Sequence, residues 1–424
     1  MLTAISRYGV RVLPNTQQII AECRRRGQFV QGPQIQEFEE AFAHRLGKGR
    51  AVATSYGRMA FLYILKALQL PSGSEVIFPA LTFWVIPELA RVAGLKPVFA
   101  DIDPRTFNLD PEAFERAITA NTRAVVPTHL FGLSCEMSPI LSTARRHGLA
   151  VIEDCAHSLG ATYRGRPVGS LGDASFFSFQ TLKPLNTYGG GMAFVRDERL
   201  AQRMASLAAA EPWPDEEHVL KRLNIGRLQR IFTRPGPFTF SAFPILWASS
   251  WFRARPDVYL WEPIRPLNPL PVAYSERYSN VQAALGLAGL AYLDDWTNSS
   301  QEHACVMNEA LAGLPGVLVP HVPPDCSHVY YQYCVYVPDR DILVRRSIRR
   351  GIDIETLHAD VCSELPLFKN SWTNAPGANQ AASVVQMPVY SGLSDHQVKH
   401  IAQQMRQLLS RGASPLSVPK VSHQ

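Results

Sequence analysis

Between Arg50 and Val195, short runs of β-branched and aromatic residues alternate with amphipathic stretches, and this alternation limits the fold more than any other feature of the chain. The runs are Arg50 to Thr54, Glu75 to Phe78, Leu95 to Ala100, Arg123 to Pro127, Leu149 to Glu153, Ser175 to Phe179 and Gly191 to Val195. Helical spacing marks Arg58 to Gln69, Pro111 to Ala120 and Glu136 to His147, which lie between several of them. Such a pattern predicts an α/β fold with a mostly parallel seven-stranded sheet and helices on both faces.

Ligands of open α/β sheets gather beyond the carboxyl ends of the strands. The run LAVIE stops at Asp154, and SFFSF leads toward Lys183 within FSFQTLKPLNTYGGG. A lysine and a carboxylate facing one crevice have the chemistry of a pyridoxal phosphate site. The amine holds the aldehyde carbon as a Schiff base, and the carboxylate keeps the pyridine nitrogen protonated so that the ring acts as an electron sink. The competing reading is a loop-capping aspartate and a solvated lysine.

Longer motifs occur in a telling order: GPQIQEFEEAFAHRLG, EVIFPALTFW, KPVFADIDPRTFNLDPEAFERAIT, AVVPTHLFG, VIEDCAHSLGATYRGRPVGSLGDASFFSF, YSNVQAALGLAGL and MPVYSGLSDHQVKHIAQQMRQLL. In this order the chain resembles the DegT/DnrJ/EryC1/StrS aminotransferases, fold type I pyridoxal phosphate enzymes that mostly aminate keto-sugars. The resemblance implies Lys183 and Asp154 as catalytic residues, with Lys183 also serving as acid and base. It implies Phe83 stacked on the ring, with Trp84 as the alternative should the loop shift by one, and Ser178 on the cofactor phosphate.

Several positions depart from the family pattern. Relatives mostly show Ser-Gly-Thr where this chain has Tyr56-Gly57-Arg58. Gly57 turns into a helix whose N-terminus suits a phosphate, and Arg58 is expected to replace a hydroxyl contact by an ionic one, unless it faces solvent. His157 stands in place of a glutamine near the ring, Tyr188 and Gly189 replace a glycine and a glutamate, and Ser275 replaces an asparagine that reaches the phosphate of the neighbouring subunit. His358 is a further candidate for substrate contact. Relatives that eliminate a sugar hydroxyl carry histidine in place of the lysine, so Lys183 favours transamination.

The expected organisation is a cofactor-binding domain over 1–200, an insert over 201–275, a small C-terminal α/β domain over 276–410 and a disordered tail over 411–424. Residues 238–252, FTFSAFPILWASSWF, are aromatic and flanked by Arg227, Arg230, Arg234, Arg253 and Arg255. They suit a subunit interface, a lid or peripheral membrane contact, and are too short and interrupted to span a bilayer.

A net charge of +6 is too small to suggest nucleic acid as a partner. The seven cysteines form no CxxC pair and no leader is expected, which together point to a reducing cytoplasm without a metal site. Cys155 adjoins Asp154 on the other face of an extended chain and is given no catalytic part. The expected function is transfer of an amino group from an amino acid, by family resemblance L-glutamate, to a nucleotide-linked keto-sugar by a homodimer in polysaccharide or natural-product biosynthesis. Alternatives are a lipid-linked or cyclitol ketone, or a regulatory protein that binds the cofactor without turnover.

Overall fold

The computed structural model describes residues 3–11, 13–252, 263–356 and 359–410. His358, Arg253, Arg255 and the tail over 411–424 lie outside the described residues. Seven strands, β1 (Arg50–Thr54), β2 (Glu75–Pro79), β3 (Lys96–Ala100), β4 (Thr122–Val125), β5 (Ala150–Asp154), β6 (Ala174–Ser178) and β7 (Gly191–Val195), form one sheet in the order β1-β7-β6-β5-β4-β2-β3. All neighbours from β6 to β3 pair in parallel, and β7 runs antiparallel to both β1 and β6.

Both faces of the sheet are apolar because both are covered. Val76, Phe78, Ile152 and Phe176 pack against Phe61, Ile64 and Leu65 of helix α1 (Gly57–Leu68). On the opposite face Ile77, Val125 and Val151 meet Phe114, Met137 and Ile140. Odd and even residues of one strand thus enter different cores, as the two-residue side-chain period requires.

Two expected boundaries move. The helix starting at Pro111 ends at Arg116, because Thr119 N–H donates to Thr122 Oγ1 and Asn121 N–H to Thr119 Oγ1, a local arrangement that competes with helical bonding. The strand before Lys183 stops at Ser178, so Lys183 lies in a loop, its N–H bonded to the Gln180 carbonyl at 2.9 Å.

Within the region expected to be an insert, residues 216–252 form three helices: α2 (Glu216–Thr233), α3 (Pro235–Phe240) and α4 (Ala242–Phe252). The acidic patch at its start is the N-cap Asp215 and first-turn Glu216 and Glu217 of α2, where negative charge complements the helix dipole. Beyond it, α5 (Asn280–Leu290) packs beside Phe38, while α6 (Leu293–Leu311) contributes Ala304, Met307 and Leu311 to a second core. That core holds α7 (Arg340–Arg349), α8 (Asp395–Ser410) and the antiparallel sheet β8 (Tyr333–Tyr336), β10 (Val384–Met387), β9 (Glu355–Thr356). Ala4 and Ile5 join it, and buried Arg7 pairs with Asp353 at 2.5 Å.

Candidate active site

Seven of the eight residues singled out as site residues meet in one cavity of about 420 Å³: Gly57, Arg58, Phe83, Asp154, His157, Ser178 and Lys183. Ser275 does not line the cavity of its own chain. Its N–H closes a short turn on Val272, and its neighbour Tyr274 reaches Arg58. Trp84 is buried in the core under α1 while Phe83 lines the cavity, which separates the two stacking candidates.

Asp154 is the last residue of β5, and its Oδ1 accepts a hydrogen bond from Ala156 N–H at 3.0 Å. Burial raises its pKa to about 6, against the opposing pull of that bond and of Lys183. Lys183 is lowered to about 8, chiefly by burial and further by Arg58, with Asp154 opposing. Desolvation outweighs the mutual attraction at both groups. The consequence is a lysine with an appreciable neutral-amine population near neutral pH, the form that attacks a carbonyl carbon, beside a carboxylate still ionised at that pH.

Beneath them the end of β5 is clamped. Glu153 Oε1 accepts from the N–H groups of Leu171 and Gly172, and Oε2 from Gly169 N–H and from His129 Nε2, whose Nδ1 accepts from Cys135 N–H. His129, Glu153 and Cys155 form the one group of three potential metal-ligating side chains among the described residues. Its oxygens are already committed to this hydrogen-bond clamp, which fixes the loop before β6 against Asp154.

Arg58 opens α1 and is enclosed by rings. Its Nη1 donates to the Tyr274 hydroxyl, and its guanidinium lies 5.7 Å from the ring centres of Phe83 and Tyr56 and 5.0 Å from that of Tyr274. Arg58 is thus half-buried in the cavity wall and does not point into open solvent. Gly57 is demanded by close approach: a Cβ there would stand 2.7 Å from the Phe177 carbonyl oxygen, so only glycine lets the positive end of α1 close on β6.

His157 Nδ1 accepts from Phe131 N–H at 3.4 Å, which leaves the ring proton on Nε2. Its ring centre is 4.4 Å from that of Tyr331, and the Tyr331 ring centre is 4.8 Å from Lys183 Nζ. Tyr331 escaped sequence reading because YYQYCVYV reads as one strand, whereas Tyr330 takes a positive φ and β8 starts only at Tyr333. Arg222, Ile225, Gly226 and Gln229 of α2 also line the cavity, at spacings of one helical face. Arg222 Nη2 donates to the Tyr56 hydroxyl at 3.1 Å and lies 3.5 Å from Glu276.

The residues fit the pyridoxal phosphate that the motifs imply. A lysine, a buried carboxylate, an aromatic ring and an arginine at a helix N-terminus share one enclosure. Thr82, Thr128 and Gln332 complete the polar part of its lining.

Comparison with known proteins matches residues 13–230 and 252–406 to the model of the DegT/DnrJ/EryC1/StrS aminotransferase family. The chain is 32% identical over 403 residues to the spore coat polysaccharide biosynthesis protein SpsC of Bacillus subtilis, covering 92% of this chain and 94% of that one. It is 31% identical over 383 residues to the GDP-perosamine synthase of Caulobacter vibrioides, covering 88% and 90%. Among solved structures, DesI in the presence of its TDP-sugar product superposes with a TM-score of 0.74 at 27% identity, covering 97% of this chain and 94% of that one. Matched over most of its length by the family model and by a relative of that identity, the chain belongs to the DegT/DnrJ/EryC1/StrS aminotransferase family.

Proposed function

We propose that this aminotransferase works with pyridoxal phosphate held by Lys183 and Asp154, and moves an amino group from L-glutamate onto a nucleotide-linked keto-sugar. The observation that carries this reading is the meeting of buried Lys183 and buried Asp154 in a cavity that also holds Arg58 at the N-terminus of α1. When bound, pyridoxal phosphate supplies a cationic conjugated ring that takes up the electron pair left when an α-proton is removed.

Everything else is work for the chain's own side chains. The Lys183 amine would hold the aldehyde carbon and, when free, is the group placed to take up and return the proton of the substrate carbon that bears the nitrogen. Asp154 would pair with the ring nitrogen and keep its proton in place. Arg58, Ser178 and the Gly57 end of α1 would hold the phosphate, the guanidinium and the helix N-terminus supplying positive charge. Phe83 and His157 would confine the ring, and Tyr331, whose ring centre lies 4.8 Å from Lys183 Nζ, orients the lysine amine. Arg222, steadied by Tyr56, offers a second guanidinium to the substrate's diphosphate.

A nucleotide-linked acceptor is in keeping with the names of the GDP-perosamine synthase and of DesI with its TDP-sugar product. The same reading makes the enzyme a homodimer in which Ser275, outside its own cavity, serves the neighbouring site, and places the reaction in polysaccharide or natural-product synthesis.

The test is the visible absorbance of purified protein with pyridoxal phosphate, before and after L-glutamate, beside Lys183→Ala. The wild type alone should show the band of lysine-bound cofactor, and glutamate should abolish it. Regeneration of the band by one of a panel of UDP-, GDP- or dTDP-linked keto-sugars identifies the acceptor. A band that glutamate leaves untouched would overturn the donor assignment, and an equal band in Lys183→Ala would overturn the role of the lysine.

A further inference from the structure

The face built by α3, α4 and the end of α2 has no counterpart in the family model, whose match stops at residue 230 and resumes at 252. Phe238, Leu246 and Ser250 fasten it to the second core, with Ala4 N–H donating to Thr239 Oγ1 at 2.8 Å and Arg349 Nη2 to the Ser250 carbonyl at 2.9 Å. The opposite side stays open. Phe240 is 79% exposed, Ile245 73% and Phe252 90%, and Trp247, Trp251, Ile231 and Phe232 are also exposed. Helix α4 is therefore apolar on its outer side as well as its inner one, which a helix sustains only against a second apolar surface.

Charge says what that surface is. Residues 218–252 carry Lys221, Arg222, Arg227, Arg230 and Arg234 and no aspartate or glutamate. Lys221, Arg227, Arg230 and Arg234 form no ion pair among the described residues. Arg349 of the neighbouring α7 lays its guanidinium 3.7 Å from the Trp251 ring centre, putting a further cation beside the aromatic side chains. A second copy of this face, related by a two-fold axis, would set these cations against themselves. An anionic lipid surface accepts both halves of the pattern, aromatics at head-group level and arginines on phosphates. No helix among the described residues is long and apolar enough to cross a membrane, so the contact is peripheral.

We propose that the α3–α4 face, with the cationic end of α2, docks this enzyme on an anionic lipid bilayer. Ile225 of α2 lines the active-site cavity and is half exposed, so the docked face adjoins the cavity rim. Docking would thus bring the rim of the cavity close to the head groups.

The test is co-sedimentation of the full chain with vesicles of phosphatidylcholine, with and without phosphatidylglycerol, at low and high salt. Wild type should pellet with the anionic vesicles, and high salt should release part of it. Trp247→Ser with Trp251→Ser should weaken partitioning roughly tenfold or more, from the apolar area withdrawn. Removing the charges at Arg227, Arg230 and Arg234 should weaken it by about fivefold each. Circular dichroism checks that the variants fold, and the wild-type result decides even where they do not. Wild type left in the supernatant with anionic vesicles overturns the proposal. So does a wild type that, without lipid, sediments as a larger assembly than the tryptophan variant, since a second copy would then cover the face.

Discussion

Asp154→Asn should make the cofactor-free protein more stable and the enzyme far less active. The carboxylate is buried, and its rise from an ordinary 3.8 to about 6 means that the folded state holds its ionised form at a cost. At neutral pH that cost is about 3 kcal/mol, as an upper bound. The sign follows from the raised value: the folded protein binds more protons than the unfolded chain between the two pKa values. The penalty is therefore absent below the ordinary value, about half developed at pH 5, and complete once the pH exceeds about 6. Asparagine keeps the oxygen that accepts from Ala156 N–H, so the hydrogen bond survives. It removes the charge that supports Lys183, which takes back part of the gain because the ammonium loses its counter-ion. The net expectation is a thermal midpoint a few degrees above wild type at pH 7.5, shrinking at pH 5. Amino transfer should fall by roughly a hundredfold or more, the usual scale for losing a preorganised electrostatic partner. Thermal melts of the cofactor-free proteins at both pH values, with glutamate-dependent turnover of the loaded ones, decide it. A variant that melts below wild type by the same margin at both pH values would refute the desolvation argument.

Other outcomes follow from the same cavity. Arg58→Ala should weaken pyridoxal phosphate binding roughly tenfold to a hundredfold, the worth of a charged hydrogen bond, by fluorescence titration; unchanged affinity would release Arg58 from the phosphate. Arg222→Ala should raise the KM for the nucleotide-linked acceptor roughly tenfold or more while leaving the KM for glutamate within about twofold. An equal rise for both substrates would move Arg222 to a structural part. Gly189→Ala should lower stability by about 1–3 kcal/mol, because φ at Gly189 is 129° and a Cβ would come within 2.8 Å of Arg222 Cδ. In an Arg222→Ala background only the crowding should be relieved, a difference a double-mutant cycle measures directly.

The sheet was legible because each of its strands is an apolar run closed by a turn, and the sequence boundaries of β1 and β7 agree with the folded ones to the residue. Asp154 was legible as a strand end for the same reason. Lys183 was placed by motif, since nothing in the loop between Ser178 and Gly191 announces which way its side chain points. Tyr331 was hidden by the left-handed turn at Tyr330, for tyrosine carries no signature of positive φ. Arg222 was hidden differently: α2 shows little apolar periodicity, because its active-site face is built from Arg222, Ile225, Gly226 and Gln229 in place of an apolar stripe. The glycine at Gly226, costly inside a helix, was the available signal of close packing.

The departures from the family pattern around the loop after Lys183 make physical sense as a single change. Tyr188 stands where the sequence resemblance implies a glycine, at φ 59°, a conformation a tyrosine adopts only when its surroundings hold it. What holds it is α2: a Cβ at Gly226 would lie 2.2 Å from Tyr188 Cδ1, so the ring fills the space that the helix glycine leaves. The next residue repeats the exchange in reverse. Gly189 replaces a glutamate, and its missing side chain leaves the place where Arg222 of α2 passes. Two substitutions on the loop and two residues one turn apart on the helix are thus mutually required. Reverting Gly189 to glutamate alone would crowd Arg222 and place a carboxylate against it. Reverting Tyr188 to glycine alone would open a cavity beneath Gly226. The wall of the active site supplied by α2 is therefore fitted, residue against residue, to the loop that follows Lys183.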